Sequence, residues 1–153
     1  MHRWIRIVVF LFLVACVNGC AWHGQFYGAG ERGRIVRTAQ RYVGIPYRHG
    51  GAAPARGFDC SGYVMYVYEK NGILLPRSVQ SQYRAGRQIR FRQAKPGDLV
   101  FFKTSKRRKL SNVGIYLGRQ RFIHAPRTGK KVSYADMGKP YWKKRYVGAV
   151  TFI

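Results

Sequence analysis

Gly57-Phe58-Asp59-Cys60-Ser61-Gly62-Tyr63-Val64 is the stretch on which the fold turns. The residues after it, Val64, Met65, Val67 and Tyr68, supply the apolar face of a helix beginning at Cys60. Asp59 is a residue type that caps a helix start by accepting a hydrogen bond from a free amide, and Asn71-Gly72 is a helix stop. A cysteine at that position meets the positive end of the helix dipole and unpaired N–H groups, which favour thiolate over thiol. A thiolate is the nucleophile that acyl transfer needs. Gly57 and Gly62 leave room for a substrate backbone to approach. We read Asp59 as the cap and not as a base.

Working outward, Ile35, Val36, Ala39, Tyr42 and Val43 recur at helical spacing, and Gly44 and Pro46 end that helix. Residues 47–58 form a glycine-rich loop. Leu74-Leu75-Pro76 leads into a short helix over 78–84. Beyond Gly86 the pattern changes to strands at 98–103 (DLVFFK), 112–117 (NVGIYL) and 121–125 (RFIHA), with a hairpin turn at 118–120. Segments 131–134 and 147–153 close the sheet, and the basic run 106–109 is a solvated loop. Helices first and strands afterwards predict an α+β domain with a mostly antiparallel sheet.

The chain has 153 residues, enough for one domain with its own core. Its 29 Lys and Arg against 5 Asp and Glu give a formal net charge of +24, which calls for an anionic neighbour. Acids are so few that each needs a structural reason: Glu31, Asp59, Glu69, Asp98 and Asp136. The basic residues are scattered and no nucleic-acid motif is present, so nucleic acid is not the expected partner.

The N-terminus reads as an export signal, with His2-Arg3-Trp4-Ile5-Arg6 followed by an apolar run at 7–14 that is too short to span a bilayer. Cys16, after Leu13-Val14-Ala15, and Cys20, after Val17-Asn18-Gly19, both resemble a lipoprotein acylation site. Leu13-Val14-Ala15-Cys16 is the better local match. Cys20 gives the more usual signal length, and we favour it. The expected organisation is a lipoprotein signal peptide at 1–20, a tether at 21–33 and one domain at 34–153. Cys60 is then the single cysteine in the folded region, so no disulfide forms there. His23, His49 and His124 have no metal-ligand spacing, and no cofactor is implied. A monomer is expected.

Six pieces occur in order: Gly44-x-Pro46-Tyr47-x-x-Gly50-Gly51, Asp59-Cys60-Ser61-Gly62, Leu75-Pro76-Arg77-Ser78, Pro96-Gly97-Asp98-Leu99-Val100-Phe101-Phe102, Val113-Gly114-Ile115-Tyr116-Leu117-Gly118 and Phe122-Ile123-His124-Ala125. Together they resemble the NlpC-type family of bacterial cell-wall cysteine endopeptidases, over roughly residues 34–153. The resemblance implies a papain-like domain that cleaves amide bonds in peptidoglycan stem peptides or cross-links, in the cell envelope. It implies Cys60 as nucleophile, Tyr47 as an oxyanion-holding residue and His124 as the third, orienting polar residue.

Where the family carries its catalytic histidine, this chain has Asn112. An amide cannot take a proton from a thiol near neutral pH. Three outcomes stay open: an attenuated peptidase, a peptidase in which His124 or His49 serves as base with Asn112 as orienter of His124, or an inactive relative that binds peptidoglycan or a partner. On strands, Asn112, Gly114 and Tyr116 share one face, as do Phe122 and His124. If the two faces coincide, Asn112 and His124 are hydrogen-bonded neighbours.

Overall fold

The computed structural model describes residues 28–105 and 109–153. The proposed signal peptide, both N-terminal cysteines, and all but the end of the tether lie outside the described residues. Helix α1 spans Glu31–Arg41 and buries Ile35, Val36 and Ala39. It starts before its apolar face does, so residues 31–33, expected in the tether, are its first turn. A glutamate in that turn favours the start through the helix dipole.

Within the glycine-rich loop, β1 (Ala52–Ala53) and β2 (Gly57–Phe58) pair as a small antiparallel hairpin that the sequence did not announce. Helix α2 follows at once, Cys60–Glu69, capped by the Asp59 side chain, which accepts from the Gly62 amide at 2.7 Å. Helix α3, Val79–Ala85, is capped by Ser78.

The remaining elements are β3 (Arg87–Ile89), β4 (Leu99–Phe102), β5 (Asn112–Gly118), β6 (Arg121–His124), β7 (Ser133–Asp136), the short helix α4 (Pro140–Lys143) and β8 (Tyr146–Thr151). They build a six-stranded sheet in the order β3-β8-β4-β5-β6-β7, antiparallel throughout. The hairpin turn between β5 and β6 has Arg119 and Gln120 both at positive φ, as a tight two-residue turn requires. The strand expected at 131–134 lies two residues later. Val132 instead exchanges backbone hydrogen bonds with Gly44 and Ile45, which ties the loop after β6 to the end of α1.

Both faces of the sheet are covered, so β4 and β5 read as continuous apolar runs and not as alternating ones. On one face, α1 and α2 pack Ile35, Val36, Tyr63, Val64 and Val67 against Leu99, Phe101, Val113 and Ile115. On the other, Val100, Phe102, Tyr116, Phe122 and Ala149 form a second cluster, closed by Trp142 and Tyr146. Phe102 and Phe122 stack at 4.9 Å, with Trp142 edge-on to both.

Candidate active site

The first residue of α2 is Cys60, 8% exposed, lying against the start of β5. Its thiol donates to the Ser111 carbonyl at 3.6 Å. The backbone amides of Val113, Ser61 and Cys60 itself point at the sulfur and favour its charged form. Burial opposes them and, with the neighbouring Asp59 carboxylate, pushes the thiol up to about 11. The helix start therefore stabilises a thiolate without being enough to form one in the resting protein.

Asp59 is the hub of the loops around the cysteine. Besides capping α2 it accepts from the Gly50 amide at 3.1 Å, from Ser61 Oγ at 3.2 Å and from both ends of the Arg77 guanidinium at 2.6 and 3.0 Å. Arg77 also donates to Ser61 Oγ at 2.9 Å. Burial raises the Asp59 carboxyl, but the hydrogen bonds and charge of Arg77 and the Gly62 amide outweigh it and hold the group below the usual carboxylate range. Arg77 stands in the Leu75-Pro76-Arg77-Ser78 piece of the resemblance, yet sequence reasoning gave it no role. The shortage of acids was the available signal. Asp59 and Asp98 form the two ion pairs among the described residues, with Arg77 and Arg32.

Tyr47 lies within electrostatic reach of the thiol. Burial, then the charges of Cys60 and Asp59, raise its hydroxyl above the ordinary tyrosine value. Its backbone amide donates to the Lys130 carbonyl, and Pro46 bridges to Lys131, which joins the Cys60 side of the site to the loop after β6.

Asn112 and His124 meet as the shared faces of β5 and β6 predict. His124 Nδ1 donates to Asn112 Oδ1 at 3.0 Å, and Asn112 Nδ2 donates to the Pro126 carbonyl at 3.5 Å. With the Asn112 amide used in that sense, Nδ1 of His124 carries the proton and Nε2 is the bare nitrogen. Burial holds the imidazole down to about 4, so it is neutral at ordinary pH.

The shared face is the one that carries Tyr116 and Phe122. Cys60 belongs to the core cluster of the opposite face, which includes Val113, Ile115, Ile123 and Ala125. The sulfur's hydrogen-bond partners are backbone groups, the Ser111 carbonyl and Val113 amide on either side of Asn112 and the first-turn amides of α2, and no imidazole is among them. His49 is exposed and lines a separate small cavity with Arg48 and Arg56. The structure thus brings Cys60, Tyr47, Asp59 and the backbone around Asn112 together, pairs Asn112 with His124, and shows no hydrogen bond from His124 or His49 to the thiol.

Beside this cluster a cavity of about 720 Å³ opens on the outer face of the sheet. Asn112, His124, Arg127, Lys130, Lys131 and Trp142 line it, and the thiol does not. Trp142 meets the His124 ring edge-on at 5.0 Å. Trp142 sits on α4, an element absent from the sequence reading although Lys139-Pro140 marks a helix start.

Similarity to known proteins follows the same residues. Gamma-DL-glutamyl hydrolase of Bacillus subtilis is 38% identical over 140 residues, covering 86% of this chain and 34% of that protein. Murein DD-endopeptidase MepH of Escherichia coli is 43% identical over 117 residues, covering 74% and 43%. The chain thus spans less than half the length of these curated relatives. A crystal structure from Staphylococcus aureus, described as similar to lipoprotein and of the NLP/P60 family, superposes with a TM-score of 0.75 at 40% identity, over 83% of this chain and 43% of that one. The NlpC/P60 sequence profile matches residues 44–151, from the loop that holds Tyr47 to the last strand of the sheet. A match of that extent takes in the capped cysteine helix and the strands bearing Asn112 and His124, and on it the chain belongs to the NlpC/P60 family.

Proposed function

We propose that this protein is a cell-envelope peptidoglycan endopeptidase that uses Cys60 as nucleophile and works slowly because Asn112 stands where a base is needed. The carrying observation is the placement of Cys60 at the capped start of α2, with first-turn amides aimed at its sulfur. In this reading the thiolate attacks an amide carbonyl of a stem peptide or cross-link. The first-turn amides and the Tyr47 hydroxyl hold the oxyanion. The leaving amine takes a proton from water, since Asn112 has none to give, and a thioester remains on Cys60. Water then hydrolyses the thioester to a carboxylate and restores the thiol. With the thiol at about 11, roughly one molecule in ten thousand carries a thiolate at pH 7. His124 acts through Asn112, fixing its amide.

The test is muropeptide release from cross-linked peptidoglycan fragments. Slow release by the wild type, none by Cys60→Ala, and at least about tenfold more by Asn112→His is the expected pattern, since a positioned base is typically worth about a hundred- to ten-thousand-fold. Full wild-type activity that is lost in His124→Ala and unimproved in Asn112→His would refute it. A second reading, a binding module without hydrolysis, is favoured by the Asn112–His124 bond itself, which occupies the base position with two neutral groups. Retained peptidoglycan binding with no release by any variant would select it.

The envelope location rests on peptidoglycan-acting relatives and on an anchor at Cys20, or Cys16, outside the described residues. No helix among the described residues is long and apolar enough to cross a membrane. Incorporation of a clickable fatty acid, abolished by replacing one of these two cysteines, is the expected result.

A further inference from the structure

Two ends of the molecule are set by α2 and β4. Helix α2 begins at Cys60, and in its last turn the Tyr68 hydroxyl donates to the Gly97 carbonyl. Gly97 lies against the first turn of α1, where a Cβ on it would meet the Arg32 backbone at 3.4 Å. Strand β4 starts just after Asp98, and its far end, Phe102, pairs with Asn112 beside the thiol. The start of α1 and the segment before β4 thus lie at the other end of both elements from Cys60, roughly 15 Å away along α2. The incoming chain lies there too, because a Cβ on Gly33 would strike the Gly28 carbonyl.

At that end a cavity of about 340 Å³ is lined by Arg32, Arg87, Ile89, Gln93, Lys95 and Asp98, with Thr151. Asp98 is the one acid on its wall, and both its oxygens are spent: Oδ1 accepts from Arg32 at 2.7 Å and Oδ2 from the Lys95 amide at 2.8 Å. Arg87 and Lys95 are exposed and have no acidic partner among the described residues. Gln93 accepts from the Arg90 amide through Oε1, which leaves its NH₂ group as a donor. Residues 84–95 carry Arg84, Arg87, Arg90, Arg92 and Lys95, all exposed, and no acid.

From this arrangement we infer that the cavity binds the phosphate of an anionic phospholipid, and that it seats this end of the domain on the bilayer with Cys60 facing away. Arg87 and Lys95 hold the phosphate oxygens, with Gln93 as a neutral donor. The choice of a lipid as the phosphate source rests on the anchor at Cys20 proposed above. Eight residues separate Cys20 from Gly28 and reach at most about 28 Å. A site held so near the headgroups needs little affinity of its own.

The test places the full-length protein, purified in detergent, in nanodiscs of phosphatidylcholine alone or with about a third phosphatidylglycerol. Lysine acetylation is read by mass spectrometry. Lys95 should be labelled at least about threefold more slowly in the anionic discs, while Lys131, on the cavity beside Asn112, is labelled alike in both. Arg87→Gln should abolish most of the Lys95 protection, and Arg41→Gln, at the other end of α1, should leave it intact. Equal labelling of Lys95 in both discs, equal protection of Lys131, or the same loss in Arg41→Gln would overturn the proposal. So would full protection by free glycerol phosphate in the neutral discs, which would make the ligand a soluble anion. The anchor is scored separately, by retention on the neutral discs. Retention there with Lys95 unprotected in the anionic discs keeps the anchor and removes the site. Retention on anionic discs alone, with Lys95 protected, does the reverse, and retention on neither removes both.

Discussion

The sulfur of Cys60 is a contest between a helix start that favours its charge and a burial that opposes it, and burial prevails. Its alkylation by iodoacetamide, followed by mass spectrometry of the peptide that contains it, should climb about tenfold per pH unit from 7 to 10, with no plateau before about 11. Asn112→His puts an imidazole at the start of β5, where the Ser111 carbonyl and the Val113 amide meet the sulfur, and should bring a plateau several units lower. A wild-type plateau near pH 8 would show that the first-turn amides suffice alone. At this scale the sequence was legible in part. The Asp59 cap, the Cys60 position and the Asn112–His124 pair follow from residue type and strand periodicity. Which face of the sheet α2 covers does not. Periodicity says that two residues share a side, but tertiary packing decides which side, and among the described residues no imidazole hydrogen-bonds the sulfur.

Among the elements, α2 and the loop before it are held at backbone contact. A Cβ on Gly62 would come within 2.1 Å of the Gly51 carbonyl oxygen, which cannot move without shifting the loop that delivers the Gly50 amide to Asp59. Gly62→Ala should therefore destabilise by about 1–3 kcal/mol in urea denaturation. Gly28→Ala, where a Cβ meets nothing, should stay within about 0.5 kcal/mol. Gly114 plays the same part across the sheet, because its Cβ would strike the Ile123 carbonyl and the Phe122 ring and would part β5 from β6. The long elements were readable because each carries a full apolar stripe. The β1–β2 hairpin and α4 were not, since strands of two residues and a helix of four carry no period. Strand β7 was misplaced because apolar Val132 attracted the reading, while its backbone is spent on Ile45 and Gly44.

For the molecule as a whole, the neutral His124 couples stability to pH. Burial lowers its folded value to about 4 from 6.5, so between those limits the unfolded chain binds a proton that the folded one refuses. Stability is complete above 6.5, falls as pH drops to about 4, and loses about 3 kcal/mol over that window on this account. The urea midpoint should trace that fall in the wild type, and the slope should flatten in His124→Gln. Asp59 acts in a separate window. Its carboxyl is depressed, so its contribution is present above 3.8 and is lost only as pH falls further.

Arg32 is the first side chain of α1 to grip the sheet. It donates to the Pro96 carbonyl at 3.2 Å, pairs with Asp98 at 2.7 Å and reaches Thr151 at 3.2 Å. Asp98 precedes β4 and Thr151 ends β8, which are neighbours in the sheet. A pull applied at residue 28 is thus passed by one guanidinium into β4 and β8. The thiol rests against the start of β5, two residues before the backbone of Gly114, and takes no bond from either anchoring group. Mechanically, Arg32 works as a strain relief: a load at residue 28 meets that clasp on β4 and β8 before it can reach the loops around Cys60.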